Sequence, residues 1–165
     1  MSQTTPTNTG PLTVVLVHGA FADASSWTGV IERLQASGVQ VTAPANPLRG
    51  LASDSAYLAS FLNQIGGPVL AVGHSYAGAV ITIAATQRPV AEGAFSEPSG
   101  VPAWKSLPAW AVVATGDKAA GSDVIRAMAR RAGATITEVE GSHVIMISQP
   151  QAVTDVILSA VAAVS

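Results

Sequence analysis

The 165-residue chain contains no cysteine, which rules out disulfides and thiolate metal sites and leaves the compartment open. Only 11% of its residues are charged, with 8 Lys and Arg against 10 Asp and Glu, and no basic cluster occurs. A nucleic-acid interface is therefore not expected. Aromatic residues make up 5%, too few for a base-stacking platform. No strand is followed by Gly-x-Gly-x-x-Gly and no Gly-x-x-x-x-Gly-Lys is present, so neither a dinucleotide site nor a P-loop is indicated. The 3 histidines lack metal-ligand spacing, so no metal and no cofactor is expected. The longest apolar stretch, 68–85, is broken by Gly, His, Ser and Tyr. It reads as a buried strand entering a helix rather than a membrane span.

What the chain does have is apolar content, at 48% of residues. That suits an α/β domain whose parallel strands are covered on both faces. Residues 1–10 are polar and Thr-rich, without the basic and apolar regions of a secretory signal. They are expected to be a disordered lead-in to one domain over 11–165, in a soluble, cytoplasmic protein. Short apolar runs alternate with helical segments, as in βαβ units. Strands are predicted at 12–17, 39–43, 69–72, 109–115 and 134–139. Helices are predicted at 25–37, 53–65, 76–87, 122–132 and 149–164, with Ser25 or Ser26 as the first N-cap. Residues 91–108, rich in Gly and Pro, read as loop.

The chemistry concentrates where strands end. Gly73-His74-Ser75-Tyr76-Ala77-Gly78 lies between an apolar strand and a helix. A nucleophile elbow needs a strained backbone at the serine and small neighbours that let the turn tighten. Gly73 and Ala77 meet that need, so Ser75 is the candidate nucleophile. His18-Gly19-Ala20-Phe21 follows the first strand. A turn there aims a backbone N–H at the nucleophile, and Ala20 and Tyr76 are the expected oxyanion donors. His18 itself reads as a structural residue pinning the turn, and His74 as packing beside the elbow. His143 follows the last strand and is the candidate base. Asp117, directly after strand 109–115, is the acid that would hold the imidazole in its working tautomer. Asp23, Glu138 and Glu140 are expected to be solvated, and Asp123 to complement a helix dipole.

Together, His18-Gly-Ala-Phe-Ala-Asp-Ala-Ser-Ser-Trp27, Gly73-His-Ser-Tyr-Ala-Gly78, the strand ending near Asp117, and Ser142-His143 resemble the bacterial α/β-hydrolases related to plant methylesterases and hydroxynitrile lyases. The resemblance covers nearly the whole chain after residue 10. It implies a mostly parallel sheet with helices on both faces, and cofactor-free hydrolysis of a small-molecule ester through an acyl-enzyme. Ser75, Asp117 and His143 would be catalytic, and Phe21 would contact substrate. Cyanohydrin cleavage in that family looks for a Lys near the acid and base. Val144 follows His143, although Lys118 follows Asp117, so hydrolysis is favoured.

The chain departs from the family between Ser75 and Asp117, where a central strand and most of a helical cap are missing. The expected fold is therefore a shortened, largely cap-less α/β-hydrolase domain, with strand 109–115 moved directly beside strand 69–72. A shallow cleft taking small esters should result, and the apolar surface left exposed favours a homodimer. Two alternatives stay open at this stage. One is a non-catalytic binding protein on a degenerate scaffold; the other is a perhydrolase or lyase variant of the same fold.

Overall fold

In a computed structural model, residues 10–84 and 106–165 are described. The expected lead-in, except Gly10, and most of the predicted loop 91–108 lie outside them. Strand β1 (Thr13–Val17) leads through a 3-10 turn (Ala24–Trp27) into α1 (Thr28–Ala36), β2 (Gln40–Thr42) and α2 (Leu51–Leu62). Then come β3 (Val69–Gly73), α3 (Tyr76–Ala84), β4 (Trp110–Ala114), α4 (Ser122–Arg131) and β5 (Thr135–Val139). A short α5 (Ile145–Ser148) and α6 (Pro150–Val164) end the chain.

The strand pattern of β1 sets the layers. Its side chains alternate between faces. Val14 and Leu16 enter one core with Trp27, Val30 and Leu34 beneath α1 and α6. Val15 and Val17 enter a second core with Leu58, Ala77 and Val80 of α2 and α3. All four β1 residues from Val14 to Val17 are 0–1% exposed. Each fully buried side chain of this kind contributes about 1.5–3 kcal/mol, so β1 is the spine of the fold. Helices thus cover both of its faces, as the sequence predicts.

The described strands do not form one sheet. β1 pairs in parallel with β2 and β3, and β4 pairs in parallel with β5, giving the orders β2-β1-β3 and β4-β5. The expected pairing of strand 109–115 with strand 69–72 is therefore wrong. A shared core links the two sheets: Val153 and Ile157 of α6 belong to one cluster with Leu16 of β1 and Ala114 of β4. Among the described residues no ladder joins the two sheets.

Local departures are smaller. The predicted first helix begins as a 3-10 turn capped by Asp23, whose carboxylate accepts from the Ser25 amide; Ser25 and Ser26 lie inside the turn, past the position where a cap side chain acts. Asp23 is exposed, as expected, and also caps this turn. α5 was not anticipated, because a single turn carries too little periodicity to read. Among the described residues no helix is long and apolar enough to cross a membrane, and no helical cap lies over the carboxyl ends of the strands.

Gly73 ends β3 where the elbow folds back on α3. A Cβ there would lie 2.8 Å from the Ile81 Cδ1 and 3.0 Å from backbone atoms of Ala77 and Gly78. Gly73→Ala is expected to destabilise by about 1–3 kcal/mol through overpacking. Urea unfolding of the variant against the parent measures it.

Candidate active site

Ser75 sits between β3 and α3 with φ 54°, a left-handed conformation that is rare for a residue with a Cβ. Such strain persists only where the surroundings enforce it. The tight contacts at Gly73 do so from one side. From the other, the turn after β1 presses close: a Cβ on Gly19 would lie 2.8 Å from the His74 carbonyl oxygen and 3.0 Å from the Ser75 Cβ. Only glycine lets those two loops touch.

The loops after β3, β4 and β5 bring three predicted residues together. His143 Nε2 lies 3.0 Å from Ser75 Oγ, and His143 Nδ1 lies 2.8 Å from Asp117 Oδ2. With Asp117 ionised, Nδ1–H donates to the carboxylate, which leaves Nε2 to accept the Ser75 hydroxyl proton. Burial pushes the Asp117 carboxyl up, but the His143 ring N–H and the amides of Ala120 and Ala119 outweigh it. The group is held below its ordinary value, so it stays an anion at neutral pH.

His74 supports this line from behind. Its Nε2–H donates to the His143 carbonyl at 2.8 Å, and the two rings are tilted with centroids 4.8 Å apart. Its Nδ1 is buried without a partner. Desolvation lowers its pKa, keeping a second positive charge away from the imidazolium that His143 would carry. His18 is elsewhere: its Nε2 accepts the Asn46 amide at 2.8 Å, and the Asn46 side-chain NH₂ donates to the His18 carbonyl at 3.1 Å. It ties the turn after β1 to the loop after β2.

Ser75, Asp117 and His143 open onto one cavity of about 410 Å³, lined mainly by apolar side chains and reaching α6. Phe21 does not line it. That side chain is fully exposed on a left-handed backbone (φ 60°) and borders a separate depression with Val144 and Ile147. Tyr76 begins α3 directly after Ser75, and Ala20 is exposed in the turn that touches the elbow. Among the described residues no group of three or more His, Asp and Glu side chains could hold a metal ion.

One functional contact escaped the sequence. Asp54, fully buried in the first turn of α2, accepts from the Tyr76 hydroxyl at 2.9 Å and from the Arg49 amide at 3.0 Å. It anchors the residue that follows Ser75. An acid in a first helical turn reads as a dipole partner, so only the fold reveals the tie. Burial raises the Asp54 pKa, but hydrogen bonds from the Arg49 amide and the Tyr76 hydroxyl bring it below 3.8. Its stabilisation is therefore complete above that value and is lost as pH falls through the folded-state pKa. Asp54→Asn should cost about 1–3 kcal/mol at neutral pH. The difference between parent and variant melting temperatures should shrink on acidification below pH 4. A difference that stays constant to pH 2.5 would contradict the assignment.

The sequence matches the profile of the alpha/beta hydrolase family over residues 14–101 and 83–156. The chain belongs to the α/β-hydrolase family. No curated protein matches it. Solved structures similar to it include a pyrethroid hydrolase from Sphingobium faniae JZ-2, at 18% identity and TM-score 0.72, covering 94% of this chain and 99% of that one. An extracellular α/β-hydrolase from a Paenibacillus species, described as sharing homology with tobacco salicylic acid binding protein 2, aligns at 16% identity and TM-score 0.72, covering 91% and 99%. The thioesterase domain of the curacin biosynthetic pathway aligns at 15% identity and TM-score 0.67, covering 92% of each chain. At these identities the likeness is one of fold. It agrees with the shortened, largely cap-less α/β-hydrolase architecture described above.

Proposed function

We propose that this protein is a serine hydrolase that cleaves small carboxylic esters through an acyl-enzyme, in the cytoplasm and without a cofactor. The observation that carries the reading is the unbroken line from Ser75 Oγ through His143 to Asp117, at 3.0 and 2.8 Å, starting from a strained serine. Ser75 Oγ attacks the ester carbonyl while His143 takes its proton, and His143 then returns that proton to the leaving alcohol. Water, activated by the same imidazole, releases the acid. Asp117 orients His143 and stabilises its charged form. The amides of Ala20 and Tyr76 receive the developing oxyanion, aided by the amino-terminal dipole of α3. Phe21, with Val144 and Ile147, offers apolar surface to the alcohol group.

The similarity to a pyrethroid hydrolase and a thioesterase domain supports hydrolysis over the lyase alternative. Labelling with a fluorophosphonate tests the reading. A single adduct on the peptide containing Ser75, blocked by pre-incubation with p-nitrophenyl acetate, is the expected result. An unlabelled protein would favour the non-catalytic binding alternative.

A further inference from the structure

The cavity beneath Ser75 has an unusual wall. It is lined by consecutive residues 70–73 of β3 and by consecutive residues 108–112 running into β4, but by none of β1 or β5. Side chains of a strand alternate between faces, so a cavity touched by every successive residue lies off the strand's edge. Here it lies off two edges: the side of β3 away from β1, and the side of β4 away from β5. Burial agrees. Residues 14–17 of β1, paired with strands on its two sides, are fully buried, whereas Val69 to Val72 of β3 are only partly buried and Gly73 is exposed.

Among the described residues no ladder joins these two facing edges, whose peptide N–H and C=O groups are a template for an added strand. An alkyl chain would cover those groups without bonding them, at a cost in desolvation. A polypeptide strand would bond both. Trp27 also lines the slot, and its indole N–H, in a residue only 3% exposed, has no hydrogen-bond partner. A peptide carbonyl is a suitable acceptor for it.

Direction follows from the loops. Ser75 follows β3, Asp117 follows β4 and His143 follows β5, and hydrogen bonds unite the three. The carboxyl ends of these strands therefore converge, and a segment laid parallel to them arrives at Ser75 with its carboxyl end. The four residues 70–73 give a slot about 13 Å long, room for about four residues. On the α6 side Val153, Ile157 and Ala160 close it, favouring small apolar side chains.

We propose that the slot between β3 and β4 binds the acyl part of the substrate as an added β-strand, and that the substrate class is a short apolar peptide esterified at its carboxyl end as an ester or thioester. This rests on the assignment of Ser75 as nucleophile. The Ser75 Oγ bonds to the C-terminal carbonyl carbon, the bond from that carbon to the leaving oxygen or sulfur breaks, and the serine proton passes through His143 to the leaving group. Water then releases the free peptide acid and restores Ser75.

The test uses three thiobenzyl esters with one leaving group: acetate, octanoate and acetyl-tetraalanine. Each kcat/KM is divided by the hydroxide-catalysed rate of the same ester. The peptide ester should exceed acetate by about tenfold or more, the worth of two or three added hydrogen bonds. N-methylation of alternate peptide amides should remove that gain. Octanoate equal to or better than the peptide, or indifference to N-methylation, would overturn the proposal. Binding of acetyl-tetraalanine amide to the Ser75→Ala protein, followed by tryptophan fluorescence, separates the slot from the chemistry. Saturable quenching with no turnover of any ester by the parent would leave the slot standing and remove the nucleophile. No quenching, together with normal turnover of acetate, would remove the slot alone.

Discussion

Ser75→Ala is expected to lower kcat on p-nitrophenyl acetate by about 10⁴- to 10⁶-fold while leaving the melting temperature nearly unchanged. The size of the loss follows from the chemistry: without the hydroxyl no acyl-enzyme forms, and only the oxyanion donors and bound geometry remain to act on water. The small stability effect follows from the site. Ser75 is exposed, and among the described residues its hydroxyl bonds to the His143 imidazole. Its left-handed backbone strains alanine and serine alike, since both carry a Cβ. Single-turnover kinetics should lose the initial burst of p-nitrophenol. A variant that hydrolyses the ester at the parental rate would take Ser75 out of the mechanism.

The three residues that meet at the site were legible because each stands just after an apolar strand, and parallel strands deliver their carboxyl ends to one edge. Gly73 and Gly19 were legible for a related reason: tight turns need small residues, and both prove to sit where a Cβ would strike a neighbour. The split between β3 and β4 was not legible. Strand neighbours depend on contacts distant in sequence, and the apolar pattern of a strand does not say which strand it will pair with. Strand order was instead inferred from chain continuity, which failed at the shortened stretch. Asp54 was hidden for a different reason. Its partner Tyr76 lies 22 positions away, and no local pattern encodes a contact at that distance.

Asp117→Asn should cost nearly as much as loss of the nucleophile, about 10⁴-fold in kcat, although it replaces one oxygen by nitrogen. Asp117 is 8% exposed and uses both carboxylate oxygens: Oδ1 accepts the amides of Ala119 and Ala120, and Oδ2 accepts from His143 Nδ1. Asparagine has one acceptor oxygen. If that oxygen keeps the two backbone amides, the side-chain NH₂ faces His143, and the imidazole must present an unprotonated Nδ1 to it. The ring proton then moves to Nε2, which donates to Ser75 Oγ instead of accepting from it, and the hydroxyl has no base. Among the described residues, the acids Asp123 of α4 and Glu138 of β5 are both bonded to Arg126. The variant should fold, should keep Ser75 in place, and should lose both turnover and fluorophosphonate labelling rate together. A loss below tenfold, with the melting temperature unchanged, would show that His143 does not depend on Asp117 for its tautomer.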